Sequence, residues 1–216
     1  MSKIKVIITG AGGGGANNII STIKERDKYT LIGFDISKFK VARADVDLGF
    51  VVPPASSPNY EAEIIKIIKD IKPDLIIPTN DPEVEKLSEI RDNIGTELFF
   101  PDHKSVALCL NKWNFHNFAI KHDIRVAETY HVEKIEDVDR IFSNFKSDLL
   151  WCRAIKGAGS KGATKVKDPE QAKWWIKYWN EMRGMEISDF TISEFLPGRD
   201  FACQSTMLCE TQNGLQ

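Results

Sequence analysis

Residues 151–167 read WCRAIKGAGSKGATKVK, and this stretch decides how the second half of the chain is interpreted. Residues 149–154 predict a strand and residues 163–166 predict its antiparallel partner, so the glycine-rich segment between them is a hairpin tip. The stretch contains no acid, and its five cations are Arg153, Lys156, Lys161, Lys165 and Lys167. The hairpin is therefore strongly cationic at its tip.

Three glycines lie in this tip, at positions 157, 159 and 162. Glycine lets backbone N–H groups turn toward a bound oxyanion, and the Ser160 hydroxyl adds a further donor, so the tip suits a polyphosphate. It is not a Walker A loop, because Ala163 and Thr164 stand where Lys-Ser/Thr is required. The alternative interpretation is a solvated hairpin tip with ordinary lysines.

Composition limits the classes of protein. The chain has 216 residues, of which 42% are hydrophobic and 28% charged, which predicts a globular protein of one or two domains. Its net charge of −2 gives no reason to expect a nucleic-acid or membrane partner, and any bound anion should be small. The four cysteines form no CxxC pair or metal-ligand spacing, so no metal site is predicted. Without a signal peptide or an apolar run of 18 residues, we expect a cytoplasmic protein.

The first hundred residues alternate between strand and helix patterns. Residues 3–9 (KIKVIIT) predict a strand, which leads into a glycine turn and a helix. Gly10, Gly12 and Gly15 fit GxGxxG, and Asp35 ends the next predicted strand, as in a dinucleotide fingerprint. A tight turn that packs a helix on a strand without any nucleotide is the alternative.

The alternation continues to residue 100. Residues 60–71 predict a crossover helix, residues 50–52, 74–78 and 98–100 predict strands, and Asp81 is the expected cap of a helix that starts at Pro82. The fold class is therefore α/β with an open parallel, Rossmann-like sheet. Ligands bind such sheets at the carboxyl ends of the strands, so the glycine loop, Asp35 and residues 79–81 should share one rim.

From residue 105 the pattern becomes helix-rich. Further helices are predicted over residues 135–145 and 168–182, and the tryptophans of the second are expected in the core. Strands are predicted over residues 191–195 and 200–207, with an Asn213-Gly214 hairpin turn that lacks a partner strand. We expect an unpaired edge there and a chain that is the front part of a longer protein.

These segments together resemble the N-terminal portion of the ATP-grasp superfamily, closest in style to its carbamoyl-phosphate-synthase-like members. Residues 1–104 look like the pre-ATP-grasp domain, and residues 105–216 look like the first part of an incomplete α+β ATP-grasp domain. The resemblance implies that the first domain helps to bind the acceptor substrate. The residues it assigns to that role are Gly12, Gly13, Gly14, Asn17, Asp35, Thr79, Asn80 and Asp81.

For ATP, the resemblance assigns phosphate contacts to Lys112 and Arg153, although Asn111 and Ala154 replace the usual Asp and Pro beside them. The lid over the β- and γ-phosphates would be residues 156–162, with Lys156, Gly157, Gly159, Ser160, Lys161 and Gly162 as its binding residues. Residues 192–200 (ISEFLPGRD) resemble the adenosine-binding segment. Its assigned residues are Glu194, Phe195, Leu196 and Asp200, with Asp200 on a ribose hydroxyl where many members have Glu.

The resemblance implies an ATP-dependent carboxylate–amine ligase that works through an acyl-phosphate. Its Mg²⁺ ligands are expected beyond residue 216, so this polypeptide alone should not turn over ATP. Expected partners are ATP and a small carboxylate or amine, and a homo-oligomer is allowed, while the acceptor cannot be read from the residues. The alternatives are an NAD(P)-binding Rossmann oxidoreductase, which lacks a Tyr-x-x-x-Lys pair in the right place, and a non-catalytic nucleotide or metabolite binder.

Overall fold

The computed structural model describes residues 3–199 and 201. Its first sheet is parallel and has the order β3-β2-β1-β4-β5. The elements of this unit are β1 (Ile4–Thr9), α1 (Gly14–Lys24), β2 (Tyr29–Asp35), α2 (Lys38–Arg43), β3 (Leu48–Val51), α3 (Tyr60–Ile71), β4 (Leu75–Ile77), α4 (Asp81–Glu89), α5 (Arg91–Ile94) and β5 (Glu97–Leu98).

Strand β1 is buried on both faces, as a central parallel strand must be. Val6 and Ile8 pack into one core cluster with Ile20 of α1, while Ile7 packs into another with Ile64 of α3. The continuous apolar run in the sequence follows from this two-sided burial. The predicted α/β class with an open parallel sheet is confirmed.

Helix α3 occupies the predicted residues, but the cap of α4 differs from the expectation. Asn80, and not Asp81, is the N-cap residue: its side-chain oxygen accepts a hydrogen bond of 3.1 Å from the Glu83 N–H. Asp81 is the first helical residue, one position earlier than expected, and Pro82 follows it within the first turn. An amide oxygen caps as well as a carboxylate does, so the sequence left both choices open.

The second sheet is antiparallel in the order β6-β9-β7-β8. Two helices connect the sheets, and two more cover one face of the second sheet. The elements are α6 (His103–Leu110), α7 (Lys112–Lys121), β6 (Thr129–Val132), α8 (Asp137–Asn144), β7 (Leu150–Ala154), β8 (Thr164–Val166), α9 (Pro169–Arg183), a 3₁₀ turn (Ile187–Asp189) and β9 (Phe190–Glu194).

The predicted hairpin is present, with Leu150 opposite Val166 and Cys152 opposite Thr164. Strand β6 is not among the strands predicted from the sequence, and it pairs with β9 at the edge of the sheet. The expected domain division between residues 104 and 105 stays a prediction, and it falls in the first turn of α6. In the part of the chain that the structure describes, no helix is long and apolar enough to cross a membrane.

Some predictions fall outside the described residues. They are the strand over residues 200–207, of which only Phe201 is described, the Asn213-Gly214 turn and the role of Asp200.

Candidate functional site

Strand β7 divides its side chains between two environments. Leu150, Cys152 and Ala154 are buried in the core with residues of α8 and α9. Successive side chains of a strand point to opposite faces, so Trp151 and Arg153 lie on the other face of the sheet. This second face, called the open face below, carries a cation next to a large aromatic ring.

Aromatic and polar side chains surround Trp151 on the open face. Its ring centroid lies 6.2 Å from that of Phe195, and the Lys165 Nζ lies 4.3 Å from the Phe195 centroid. Ser193 pairs with Trp151 across the sheet, and its hydroxyl donates to the Trp151 carbonyl at 3.3 Å. The open face thus combines a ring platform with cations, which suits a nucleotide base next to phosphates.

Lys112 and Arg153 are the two half-buried cations of this region. Burial lowers the pKa of both groups, and the nearby charge of Arg153 lowers the Lys112 pKa further, while Asp81 only partly opposes this. Within residues 3–199 and 201, neither forms a salt bridge, and the buried Arg153 Nε has no hydrogen-bond partner. A bound anion would stabilise two like charges held in this way.

Lys112 is the first residue of α7, which Asn111 caps by accepting a hydrogen bond from Asn114 N–H. The Lys112 Nζ donates to the carbonyls of Ile155 at 3.3 Å and Gly157 at 2.8 Å. The substitution of Asn for the usual Asp therefore keeps the cap. The cation is already directed at the start of the glycine-rich loop.

Residues 156–162, called the lid loop below, are exposed up to Lys161, and Gly162 is buried. At the start of the loop, the Ile155 N–H donates to the Asp189 carbonyl at 2.7 Å. At its end, the Gly162 carbonyl accepts hydrogen bonds of 3.1 Å from both the Ala154 N–H and the Trp175 Nε1. The loop is therefore anchored at both ends and exposed between them.

Positive φ angles follow one another through the lid loop. They are 117° at Gly157, 66° at Gly159, 59° at Ser160 and 69° at Gly162. A Cβ at Gly162 would lie 2.9 Å from the Ala154 Cβ, whereas one at Gly159 would meet nothing within 4 Å. Glycine is needed at 162 for space and conformation, and at 159 for conformation alone.

The predicted adenosine segment is described only in part. Phe195 joins the ring platform, Leu196 is exposed, and the Glu194 N–H donates to the Glu128 carbonyl at 2.9 Å. Any backbone contact from Glu194 to a base edge would thus come from its carbonyl. These base contacts stay predictions.

A cavity of about 800 Å³ opens at the carboxyl edge of the first sheet, where the strand order changes direction between β1 and β4. The predicted rim residues that line it are Gly13, Gly14, Asp35, Thr79, Asn80 and Asp81. Its far wall is the lid loop, through Lys156, Gly157, Ala158 and Lys161. The acceptor rim and the lid loop thus share one cavity.

Two of the predicted acceptor residues do not line this cavity. Asn17 is exposed on α1. Gly12 faces α2, where an added Cβ would lie 2.3 Å from the Cβ of Lys40. Its lack of a side chain therefore lets α2 approach the glycine loop and serves packing.

Asp35 is also engaged within the protein. Its carboxylate accepts hydrogen bonds from the N–H groups of Gly12 at 3.3 Å and Ser37 at 3.0 Å, and the residue is buried. A dinucleotide site would use this acid for a ribose hydroxyl and the glycine turn for pyrophosphate. Here Asp35 joins the glycine loop to α2, which counts against the NAD(P) alternative.

Glu83 lies at the base of the cavity and is only 6% exposed. Burial raises the pKa of its carboxyl, and the nearby Asp35 charge acts in the same direction. Tyr60 donates to it at 3.4 Å, and the Asn80 amide donates to its other oxygen. The cavity floor therefore holds a carboxyl group that keeps its proton to a higher pH than an exposed glutamate does.

Two residues of the site were given no role from the sequence, and they are Trp151 and Glu83. Trp151 could have been found from the period-two spacing of its strand, because it lies two residues before Arg153, while Lys165, counted only among the cations of the hairpin, lies opposite it. No sequence pattern marks Glu83 as a site residue, because an acid in the first turn of a helix is usually explained by its favourable interaction with the helix dipole. In the described residues, no group of three or more His, Cys, Asp or Glu side chains could hold a metal ion.

Solved structures with the same fold include the following ATP-grasp enzymes. The L-amino acid ligase from Bacillus licheniformis matches with a TM-score of 0.70 at 10% identity, covering 92% of this chain and 45% of that one. The biotin carboxylase domain of 2-oxoglutarate carboxylase from Hydrogenobacter thermophilus matches at 0.67 and 14%, covering 91% and 45%. N5-carboxyaminoimidazole ribonucleotide synthetase from Thermotoga maritima matches at 0.59 and 18%, covering 89% and 46%. At these identities the likeness concerns the fold.

The chain therefore has the fold of the N-terminal half of ATP-grasp proteins, a pre-ATP-grasp unit followed by the first part of the ATP-grasp domain, and the predicted resemblance to this superfamily is confirmed. Within it, residues 6–99 match the profile of the family described as PylC-like, N-terminal domain. The chain spans about half the length of the structures named above. No curated protein sequence gives a match.

Proposed function

We propose that the chain binds ATP on the open face of the second sheet, beneath the lid loop. The observation that carries this proposal is the pair Lys112 and Arg153, two half-buried cations that form no salt bridge among the described residues. Phosphate oxygens would satisfy both charges and the Arg153 Nε. The aromatic rings of Trp151 and Phe195 would then pack against the base.

The position of the lid loop supports a transfer reaction. Lys156 and Lys161 line the same cavity as Thr79 and Asp81 of the acceptor rim. A terminal phosphate held by the lid loop would thus lie beside a molecule bound at that rim. Catalysis of phosphoryl transfer depends mainly on such positioning and on cations that meet the developing charge.

The proposed reaction of the complete protein is that of an ATP-dependent carboxylate–amine ligase. A carboxylate oxygen attacks the γ-phosphorus, ADP leaves, and an amine nitrogen then displaces phosphate from the acyl-phosphate. Mg²⁺ would supply charge neutralisation at the phosphates, and among the described residues no group of three or more His, Cys, Asp or Glu side chains could hold it. The Hydrogenobacter carboxylase structure contains MgADP, ADP and bicarbonate.

We further propose a carbamoyl-phosphate-synthase-like parent, which the resemblance implies, a cytoplasmic location, which the sequence pattern predicts, and a homo-oligomer. The carboxylase domain from Hydrogenobacter is described as a dimer.

Isothermal titration calorimetry with ATP, ADP, adenosine and NAD tests the proposal. We expect ATP to bind more tightly than adenosine, since the phosphates meet Lys112 and Arg153, and NAD to bind more weakly than ATP. Binding of NAD without any binding of ATP at millimolar concentration would show that the glycine loop is a dinucleotide site after all.

A further inference from the structure

The indole N–H of Trp175, on α9, donates a 3.1 Å hydrogen bond to the carbonyl of Gly162, the last residue of the lid loop. We propose that Trp175 is a positioning residue that sets the conformation of the lid loop for a polyphosphate. This inference rests on the proposed function. It assigns to a core tryptophan a role beyond packing.

The coupling runs through one peptide unit. The Gly162 carbonyl and the Ala163 N–H belong to the same planar group and point in opposite directions. The carbonyl end accepts from the Trp175 indole and from the Ala154 N–H of strand β7, and the N–H end donates to the Ser160 carbonyl at 3.1 Å. Trp175 is therefore the side chain that, beside the strand backbone, holds the turn at Ser160, whose φ of 59° is unusual for a residue with a side chain.

The donor itself is rigid. The Trp175 ring packs against the second core and contacts Trp179 edge-on at a centroid distance of 5.8 Å. It also stacks on Tyr178 at 6.1 Å. Because two neighbouring rings fix the orientation of the indole, its N–H has a fixed direction. The hydrogen bond to Gly162 therefore restrains the lid loop and not the ring.

Helix α9 supplies a matched control one turn later. The Trp179 Nε1 is buried and has no hydrogen-bond partner within residues 3–199 and 201. Trp179→Phe keeps an aromatic ring against Trp175 and removes an indole N–H without a partner there, whereas Trp175→Phe removes the N–H that binds the Gly162 carbonyl. Both changes keep an aromatic ring in the same core, so their difference reports the hydrogen bond to the lid loop.

Tryptic cleavage after Lys161 without nucleotide measures the restraint directly, because cleavage requires the loop to open locally. We expect cleavage to accelerate roughly three- to tenfold in Trp175→Phe, the range set by one hydrogen bond, and to stay unchanged in Trp179→Phe. Thermal melting confirms that each variant is folded. Trp175→Tyr, which also lacks a donor at that position, replaces Trp175→Phe if the latter does not fold.

Calorimetry then tests the consequence for binding. Trp175→Phe should weaken the binding of ATP by roughly three- to tenfold and leave the binding of adenosine unchanged, because only the phosphates would contact the lid loop. Equal cleavage rates in both variants and the wild type would overturn the inference, as would equal losses for ATP and adenosine. If the wild type binds no ATP, the proposed function fails, while the cleavage comparison still decides whether Trp175 positions the loop.

Discussion

Lys156 of the lid loop and Glu85 of α4 form an ion pair with an Nζ to Oε1 distance of 2.9 Å. Glu85 lines the cavity at the acceptor rim, so the pair joins the lid loop to the first sheet unit. Both side chains are substantially exposed, at 57% and 40%, and such pairs add little to stability. The pair instead occupies a lysine that a phosphate would otherwise attract.

Replacing Glu85 with Gln should therefore release Lys156. We expect the unfolding free energy to change by less than about 1 kcal/mol, since the pair is exposed. Tryptic cleavage after Lys156 should accelerate, and ATP should bind at least as tightly as in the wild type. Glu89→Gln, on the same helix but paired with Lys86, is the control. Slower cleavage after Lys156 in Glu85→Gln would contradict the expectation.

Removing either half-buried cation should weaken the binding of ATP more than the binding of adenosine. Lys112→Ala and Arg153→Ala are each expected to weaken ATP binding by roughly 1.5 to 3 kcal/mol, the range of hydrogen bonds to charged groups, with little effect on adenosine binding. Arg140→Ala is the control, because Arg140 is exposed on α8 and pairs with Asp137. Calorimetry with both ligands measures the difference. Equal losses for the two ligands would mean that the cation supports the fold and not the phosphates.

Two glycines of the lid loop should respond differently to alanine. Gly159→Ala adds a Cβ in open space, so only the left-handed backbone opposes it, at about 1 to 2 kcal/mol. Gly162→Ala also places its Cβ 2.9 Å from that of Ala154, and we expect the free energy of unfolding to fall by about 2 to 4 kcal/mol. Urea unfolding of both variants measures the two losses. A smaller loss for Gly162→Ala than for Gly159→Ala would refute the structural assignment.

The buried carboxyl of Glu83 should make stability depend on pH. Its pKa in the folded chain is raised by burial above the ordinary value of 4.5, so the folded state binds more protons than the unfolded state above that value. Its stabilising contribution is therefore complete below the ordinary pKa and is lost as pH rises through the raised pKa. Glu83→Gln removes this titration.

We thus expect the stability of Glu83→Gln, relative to the wild type, to increase as the pH rises from about 4.5 toward neutrality. Urea unfolding across this range measures it, and Glu89→Gln again serves as the exposed control. Parallel pH profiles for Glu83→Gln and the wild type would show that Glu83 has an ordinary pKa in the folded chain.

The sequence predicted those features that local patterns determine. Helix α3 follows from the apolar spacing that places Ile64 and Ile68 in the core, and the β7–β8 hairpin follows from two short strands around three glycines. The shared rim of Asp35 and Asp81 follows from the rule for parallel sheets. Each of these needs only neighbours in sequence or a general rule of topology.

What the sequence could not predict depends on distant contacts. Strand β6 has four residues and exists because it pairs with β9, some sixty positions later. The choice between Asn80 and Asp81 as the cap is made by which side chain reaches the Glu83 N–H. Likewise, the role of Trp175 depends on the turn at Gly162, thirteen residues before it, being folded against α9.

The alternation of β7 side chains between the core and the open face also limits how this part of the protein can change in length. Inserting or deleting one residue before Arg153 would turn its charge into the core and push Cys152 onto the open face, so the strand tolerates no shift of odd size. The exposed residues between Lys156 and Gly162 lie outside the β7–β8 ladder, so no alternation of faces fixes their number. We therefore expect a change in length to be tolerated at the tip of the hairpin, where it would alter the reach of the loop without turning Arg153 to the other face of the sheet.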